Sequence, residues 1–288
     1  MSKSYNFIGL FSLVFAMLVW GSSFIALKSA MADLGEFTVI FLRMFVASLC
    51  FLYFIKGFLK YKFTKDDIKY ILILALFEPC LYFIFEAKAL LYTSASQAGM
   101  ITSLMPLITA MAAGYILKEA ITKQLVFGAF IALIGAVWLS LQATSTQNAP
   151  NPMLGNFLEL CAMICGAGYT IAVRYLSKKF SAIFITAIQA FIGAIFFFPF
   201  FLYEYSTKEM VYSIEAISWT VYLGVVVTLG GYGLYNYSLT KIEASKASMF
   251  INLIPVFTLI LAFLILGEVL SLNELIACIT ILCGVILS

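Results

Sequence analysis

Residues 94–119 read SASQAGMITSLMPLITAMAAGYILKE, and 149 residues further on, residues 243–268 read EASKASMFINLIPVFTLILAFLILGE. The two stretches share Ala95/Ala244, Ser96/Ser245, Ala98/Ala247, Met100/Met249, Leu104/Leu253, Pro106/Pro255, Thr109/Thr258 and Glu119/Glu268. Each sets a proline near the middle of an apolar run and a glutamate just past its end. A repeat of this kind in a very apolar chain points to a membrane transporter assembled from two related halves.

The rest of the composition agrees. The chain is 64% hydrophobic and only 11% charged, whereas a soluble domain is about one-quarter charged. The apolar run at 7–30 is too long for a signal-peptide core and reads as a retained first span. The six cysteines lie inside apolar runs without a CxxC pair, which points to packing rather than disulfides or zinc. With no histidine, His-based relays and Ser-His catalysis are excluded. A net charge of +3 spread over the loops gives nucleic-acid binding no support. Neither a P-loop nor a nucleophile–base motif is present, so an enzyme is not expected. No cofactor or metal is expected either. The expected partners are a small-molecule substrate and the lipid bilayer; the sequence does not set the oligomeric state, and a monomer is compatible with it.

A span needs about 20 apolar residues. Ten segments qualify, near 7–30, 37–57, 68–90, 95–117, 122–142, 153–174, 182–203, 216–239, 245–266 and 271–288. The predicted fold is an all-α polytopic membrane protein of ten transmembrane helices. It divides into a first repeat at 1–142, a linker at 143–152 and a second repeat at 153–288. With the N-terminus inside, the inner loops hold thirteen cations: Lys3, Lys56, Lys60, Lys62, Lys65, Lys69, Lys118, Lys123, Arg174, Lys178, Lys179, Lys241 and Lys246. The outer side holds only Lys28, Lys88 and Lys208. That bias predicts cytoplasmic termini. Five spans per half is an odd number, so the repeats must be inverted, with a site expected near the midplane between them and alternating access by rocking.

Ionisable residues inside spans are costly and are therefore candidates for function. Arg43, Glu78 and Glu86 meet that description. Glu78 falls near the middle of the third span, and Glu86 about 12 Å nearer the outside at helical rise. Glu78, Tyr82 and Glu86 form an i, i+4, i+8 stripe that can line one cavity wall. Pro79 removes a backbone hydrogen bond and bends the helix beside Glu78. Two readings stand. In one, Glu78 or Glu86 meets a cationic group or a proton while Arg43 meets a carboxylate. In the other, Arg43 and one glutamate form a buried structural pair. Glu159 is a lone carboxylate that could partner Arg43 or Lys88, and Lys88 itself is expected to snorkel outward.

The positions in the second half that match Arg43, Glu78 and Glu86 are Gln189, Val227 and Tyr235. Charge therefore comes from one half, and neutral or aromatic groups, including Thr228, Tyr232 and Asn236, from the other. Such a cavity suits an amphipathic zwitterion. Pro106 and Pro255 free the carbonyls of Thr102 and Ile251, which is tolerated where backbone faces protein or a wet cavity. Ser103 and Asn252, in matched positions, are candidates to line that path, with the three prolines 79, 106 and 255 as kinks or gates. Gly128, Ala132, Gly135 and Gly284 permit close helix approach, and Gly230, Gly231 and Gly233 weaken the eighth span. Glu119 and Glu268 are expected to hold turns by capping the following helix or pairing a cation.

Trp20-Gly21-Ser22-Ser23-Phe24, Arg43 and the stretch from Ala89 through Ala98 to Pro106 and Glu119 resemble the EamA family of the drug/metabolite transporter superfamily. The second half matches from Ser238 to Glu268, but reads Cys165-Gly166-Ala167-Gly168-Tyr169 where the first has Trp20–Phe24. The resemblance implies a secondary carrier in a bacterial inner membrane, often an exporter, for small metabolites such as amino acids. Related branches move nucleotide sugars or drugs, some by proton coupling, for which Glu78 and Glu86 are the candidates. A membrane channel is the competing class.

Overall fold

A computed structural model describes residues 7–116, 122–242, 247 and 249–287. These residues form ten apolar helices: α1 (Phe7–Met31), α2 (Glu36–Phe58), α3 (Lys65–Tyr92), α4 (Ala95–Ile116), α5 (Lys123–Gln142), α6 (Pro152–Leu176), α7 (Ala182–Thr207), α8 (Ile214–Leu239), α9 (Phe250–Leu266) and α10 (Leu272–Leu287). Seven are long and apolar enough to cross a bilayer, and α5, α9 and α10 carry shorter apolar runs. Glu119, one of the two repeated glutamates, lies outside the described residues.

The helix starts are written locally. Thr64 and Asp67 form a reciprocal capping box at α3, and Ser94, Asn151, Ser181 and Ser213 each accept a backbone N–H at the start of α4, α6, α7 and α8. Pro152 opens α6 where its missing N–H costs nothing.

The two repeats are interleaved. In the first repeat, α1 packs on α8 and α9 of the second; in the second, α6 packs on α3 and α4 of the first. Helices α2 and α7 pair with each other, as do α5 and α10. The matched glycines Gly21 and Gly166 make the central crossings possible. A Cβ on Gly21 would lie 2.8 Å from Phe257 Cβ and 3.2 Å from the Ile254 carbonyl, and one on Gly166 would meet the Met105 side chain at 3.0 Å. The α5–α10 crossing is tighter still and uses Gly128, Ala132, Gly135 and Gly284, the small residues singled out in the sequence.

The expected bend at Pro79 is a full break. The chain widens into a π-helical turn over Leu76–Leu81, and Glu78 is extended at φ −149°, ψ 120°. The matched helix α8 is π-helical over Leu223–Tyr232. The mid-helix prolines of α4 and α9 are each preceded by a tightened 3₁₀ turn, Thr102–Leu104 and Phe250–Asn252. Both repeats are thus irregular at the same two levels, in helices that face the centre. Non-helical backbone at such depth is tolerated where it is buried in protein or borders a cavity.

Candidate functional site

Those irregular segments surround a narrow central cavity. Its wall is formed by Trp20, Ser23 and Phe24 of α1, Glu78, Tyr82 and Glu86 of α3, Thr102 and Met105 of α4, Met163 and Tyr169 of α6, Tyr232 of α8, and Ile251 and Ile254 of α9. The first, third and fourth helices of each repeat therefore contribute. The space open to the centre of a water-sized sphere is 30 Å³, room for about two waters.

Tyr82 and Glu86 keep the helical spacing, the Tyr82 hydroxyl donating to Glu86 at 3.0 Å, whereas Glu78 reaches the same wall from the extended break. Glu86 and Glu78 are both buried, and one oxygen of Glu78 has no hydrogen-bond partner. Opposite them stands an aromatic wall. Trp20 packs on Tyr232 and Tyr235 with ring centroids 4.8 and 4.7 Å apart, and Tyr169 meets Tyr232 edge-on at 6.1 Å. Trp20 Nε1 is also buried without a partner.

Arg43 is 2% exposed and pairs with no carboxylate among the described residues. Its Nε donates to Thr228 Oγ1 at 2.8 Å, and its guanidinium lies 4.4 Å from the Phe83 ring centroid and 5.9 Å from that of Tyr232. The buried structural pair is thus replaced by a hydroxyl and two aromatic faces. Glu159 was a possible partner for Arg43 or Lys88, but pairs with neither; both its oxygens are unsatisfied. Lys88 does not snorkel free, because it pairs with Glu36 at 2.5 Å.

The remaining sequence candidates fall around the wall rather than on it. Gln189 accepts from the Tyr169 hydroxyl at 3.1 Å and so acts on the cavity through Tyr169. Tyr235 lies behind Trp20 and shares a 3.2 Å hydrogen bond with Thr170. Ser103 and Asn252 do not line the space; their neighbours Thr102 and Ile251 do. The 3₁₀ turns that carry Ser103 and Asn252 pack on one another, and Ser103 Oγ and Asn252 Oδ1 have no partner. Pro79, Pro106 and Pro255 are buried at the irregular segments of α3, α4 and α9. Sequence reasoning missed Trp20, Tyr169, Met105 and Met163 as wall residues. A signal existed for two of them, since Trp20 and Tyr169 flank the paired glycine motifs.

One end of the bundle is closed by charge. Glu268 accepts from Ala95 N at 3.0 Å, Ser96 N at 2.8 Å and Ser96 Oγ at 2.7 Å, so it caps α4 across the repeat boundary and not the following helix. Lys28 lies 4.0 Å from Glu268 and donates to the carbonyls of Thr93 and Asn148. Glu274 accepts from Gln97 at 2.8 Å. Beside this latch, Glu36 binds both Lys88 and Lys208, and Glu204 binds Lys208 and Thr38. All three lysines assigned to the outer side thus sit among carboxylates. At the opposite end, Lys179 pairs with Asp67.

The ten apolar helices, with a cavity between the two repeats, are those of a polytopic membrane protein. The profile of the EamA-like transporter family matches residues 7–141 and 153–288, and the chain belongs to that family. It is 30% identical over 278 residues to "Uncharacterized transporter YcxC" of Bacillus subtilis (strain 168), covering 92% of this chain and 88% of that one. It is 29% identical over 265 residues to "Uncharacterized transporter YetK" of the same organism, covering 89% and 79%. A solved crystal structure 19% identical in sequence superimposes over 100% of this chain and 96% of its own with a TM-score of 0.67, so the two share a fold.

Proposed function

We propose that the protein is a secondary carrier that exports a small, amphipathic, amino-acid-like metabolite by alternating access, with the substrate held between the two repeats. The observation that carries this reading is the central cavity. Six helices, three from each repeat, line it, acids come from α3, and Arg43 of α2 stands behind Phe83 and Tyr232. Carboxylates meet an ammonium, the Trp20, Tyr169 and Tyr232 rings cover an apolar body, and the guanidinium, screened from the space by two rings, adds a positive field for an acidic group. At 30 Å³ the cavity is too small for such a molecule, so loading requires the repeats to move apart at one end. That requirement favours a carrier over a channel.

The test is counterflow in proteoliposomes. Flux should saturate and accelerate when substrate is present on the far side, whereas flux linear in concentration would mean a channel. A thermal-shift screen with amino acids, nucleosides, nucleotide sugars and cationic drugs would name the substrate class through ligand-induced stabilisation. If R43Q and E78Q leave both transport and substrate range unchanged, the assigned site is wrong. We further place both termini in the cytoplasm of a bacterial cell, on the loop-charge bias. Terminal reporter fusions with activity outside the cytoplasm would reverse that.

A further inference from the structure

The three lysines assigned to the outer side sit among carboxylates, and those around the start of α3, at the opposite end, do not. Lys56, Lys60, Lys62, Lys65 and Lys69 are all exposed, and none forms an ion pair among the described residues. Asp67 neutralises none of them, because it is turned inward, closes the capping box on Thr64 and pairs with Lys179. Asp66 alone is left to oppose five lysines in this segment.

Lys65 and Lys69 head an open trough along α3. Its banks are two i, i+4 rows, Lys65, Lys69 and Ile73 on one side and Ile68, Leu72 and Leu76 on the other. Ile68, Leu72 and Leu76 are 50%, 59% and 54% exposed in a membrane-spanning helix, so this bank faces lipid. From Ile68 to Leu76 is about 12 Å at helical rise, within the roughly 15 Å of one hydrocarbon leaflet, which puts the two ammoniums at headgroup level. Lysines four apart are neighbours on a helix, close enough to share one phosphate. The approach to α3 is fixed as well. The Tyr61 hydroxyl accepts from Ser181 N at 3.1 Å, and its ring lies 5.0 and 4.8 Å from those of Phe180 and Phe184, centroid to centroid.

The second repeat supplies a comparison. The offset of 149 residues that matches the helix caps Thr64 and Ser213 sets Ile214 and Ser218 against Lys65 and Lys69. Ile217, Val221 and Val225 repeat the apolar row without the charge. The helix pattern therefore does not require these lysines. Topology asks for cations somewhere in this loop, not for two at the head of one trough.

We propose that the trough binds an anionic phospholipid, with its phosphate on Lys65 and Lys69 and one acyl chain along Ile68, Leu72 and Leu76. Leu76 is the first residue of the widened turn that holds Glu78 and Pro79, so the bound chain braces that turn from outside. The site goes beyond the carrier reading and does not depend on what the protein carries.

Native mass spectrometry of the full-length protein tests the site. One dioleoylphosphatidylglycerol should be retained in preference to dioleoylphosphatidylcholine. K65Q/K69Q should weaken that retention about tenfold or more, since each lysine near an anionic lipid contributes about a factor of five. K178Q/K241Q, which removes two other cations of the inner side, should leave it unchanged. L72W, which fills the trough and keeps both lysines, should weaken it too, and carries the test if K65Q/K69Q lowers Tm in phosphatidylcholine. In nanodiscs, phosphatidylglycerol should slow amide hydrogen exchange over residues 76–81 several-fold relative to phosphatidylcholine, and K65Q/K69Q should abolish the difference. Equal retention of the two lipids, equal loss in K178Q/K241Q, or exchange indifferent to the lipid would each overturn the proposal. Protection by glycerol 3-phosphate alone would overturn it in favour of a soluble anion, and dimers dissociated by L72W in favour of a second copy of the chain.

Discussion

The Arg43 guanidinium is held inside the bundle by a hydroxyl donated to by Nε and by two ring faces, a set spread over α3 and α8. A hydrogen bond to a charged group contributes about 1.5–3 kcal/mol, and a desolvated cation–π contact up to about 2 kcal/mol. T228V should therefore destabilise the protein by roughly 1.5–3 kcal/mol in detergent thermal unfolding, with a parallel loss of transport. A neutral outcome would mean that the two rings alone hold the guanidinium. Lys208, just beyond the end of α7, offers a test in pH. Burial pulls its ammonium down, but hydrogen bonds to Glu204 and Glu36 outweigh that and hold it above the ordinary lysine value. Because the folded-state value is raised, its contribution is complete below the unfolded lysine value and is lost as pH climbs through the folded one. The Tm gap between wild type and K208Q should be widest near neutrality and close at pH beyond the lysine range. Arg43, Glu78 and Glu86 were legible in the sequence as buried charges because charge within a span is a local fact, and so was the Tyr82–Glu86 spacing, whereas the break that takes Glu78 out of the helix was not. The partners were not, because Thr228 lies 185 residues away and only packing brings it to Arg43.

At the scale of elements, matched helices become irregular by different chemistry. In α3 the break falls at Pro79, which packs 2.8 Å from the Cβ position of Gly193. In α8 the helix widens without a break over Leu223–Tyr232, a stretch that holds Gly230 and Gly231, the second of which sits against Trp20. The prolines of α4 and α9 are alike in both halves, so P255A should restore regular hydrogen bonding over Phe250–Asn252. We expect it to raise Tm or leave it unchanged while slowing counterflow several-fold, since the turn borders the cavity at Ile251. Equal transport by P255A would make the turn a matter of shape alone. At the periphery, a Cβ on Gly284 would lie 2.4 Å from Ala132 N and 2.6 Å from the Gly128 carbonyl, both backbone atoms that cannot swing aside. G284V should therefore cost about 1–3 kcal/mol by overpacking, read as lower Tm with substrate range unchanged. Proline and glycine positions announced these irregularities in advance. Their extent was hidden, because how far a helix widens depends on what fills the gap.

For the whole molecule, exchange of α1 and α6 between repeats means that neither half encloses its own core. Residues 1–147 and 148–288 made as separate chains should each aggregate alone, yet co-purify as a stable complex when expressed together. Independent stability of either would contradict the interleaving. The Glu268 latch joins the halves at one end, and E268Q should speed amide hydrogen exchange at residues 94–98 by about tenfold, the equivalent of about 1.4 kcal/mol for its hydrogen bonds. The duplication and its inversion were readable from one repeated stretch and an odd number of spans. The exchange was not, because hydrophobic spans carry no mark of which neighbour they face. In the carrier proposed above, the two unlike irregular segments, a proline break in α3 and a glycine-bearing widened turn in α8, would give the opposite faces unlike conformational barriers. In a passive cycle the Haldane relation still holds net flux to zero at equal concentrations, so the inequality emerges elsewhere: the half-saturation concentration and maximal velocity measured from one side of the membrane differ from those of the other, in compensating ratio.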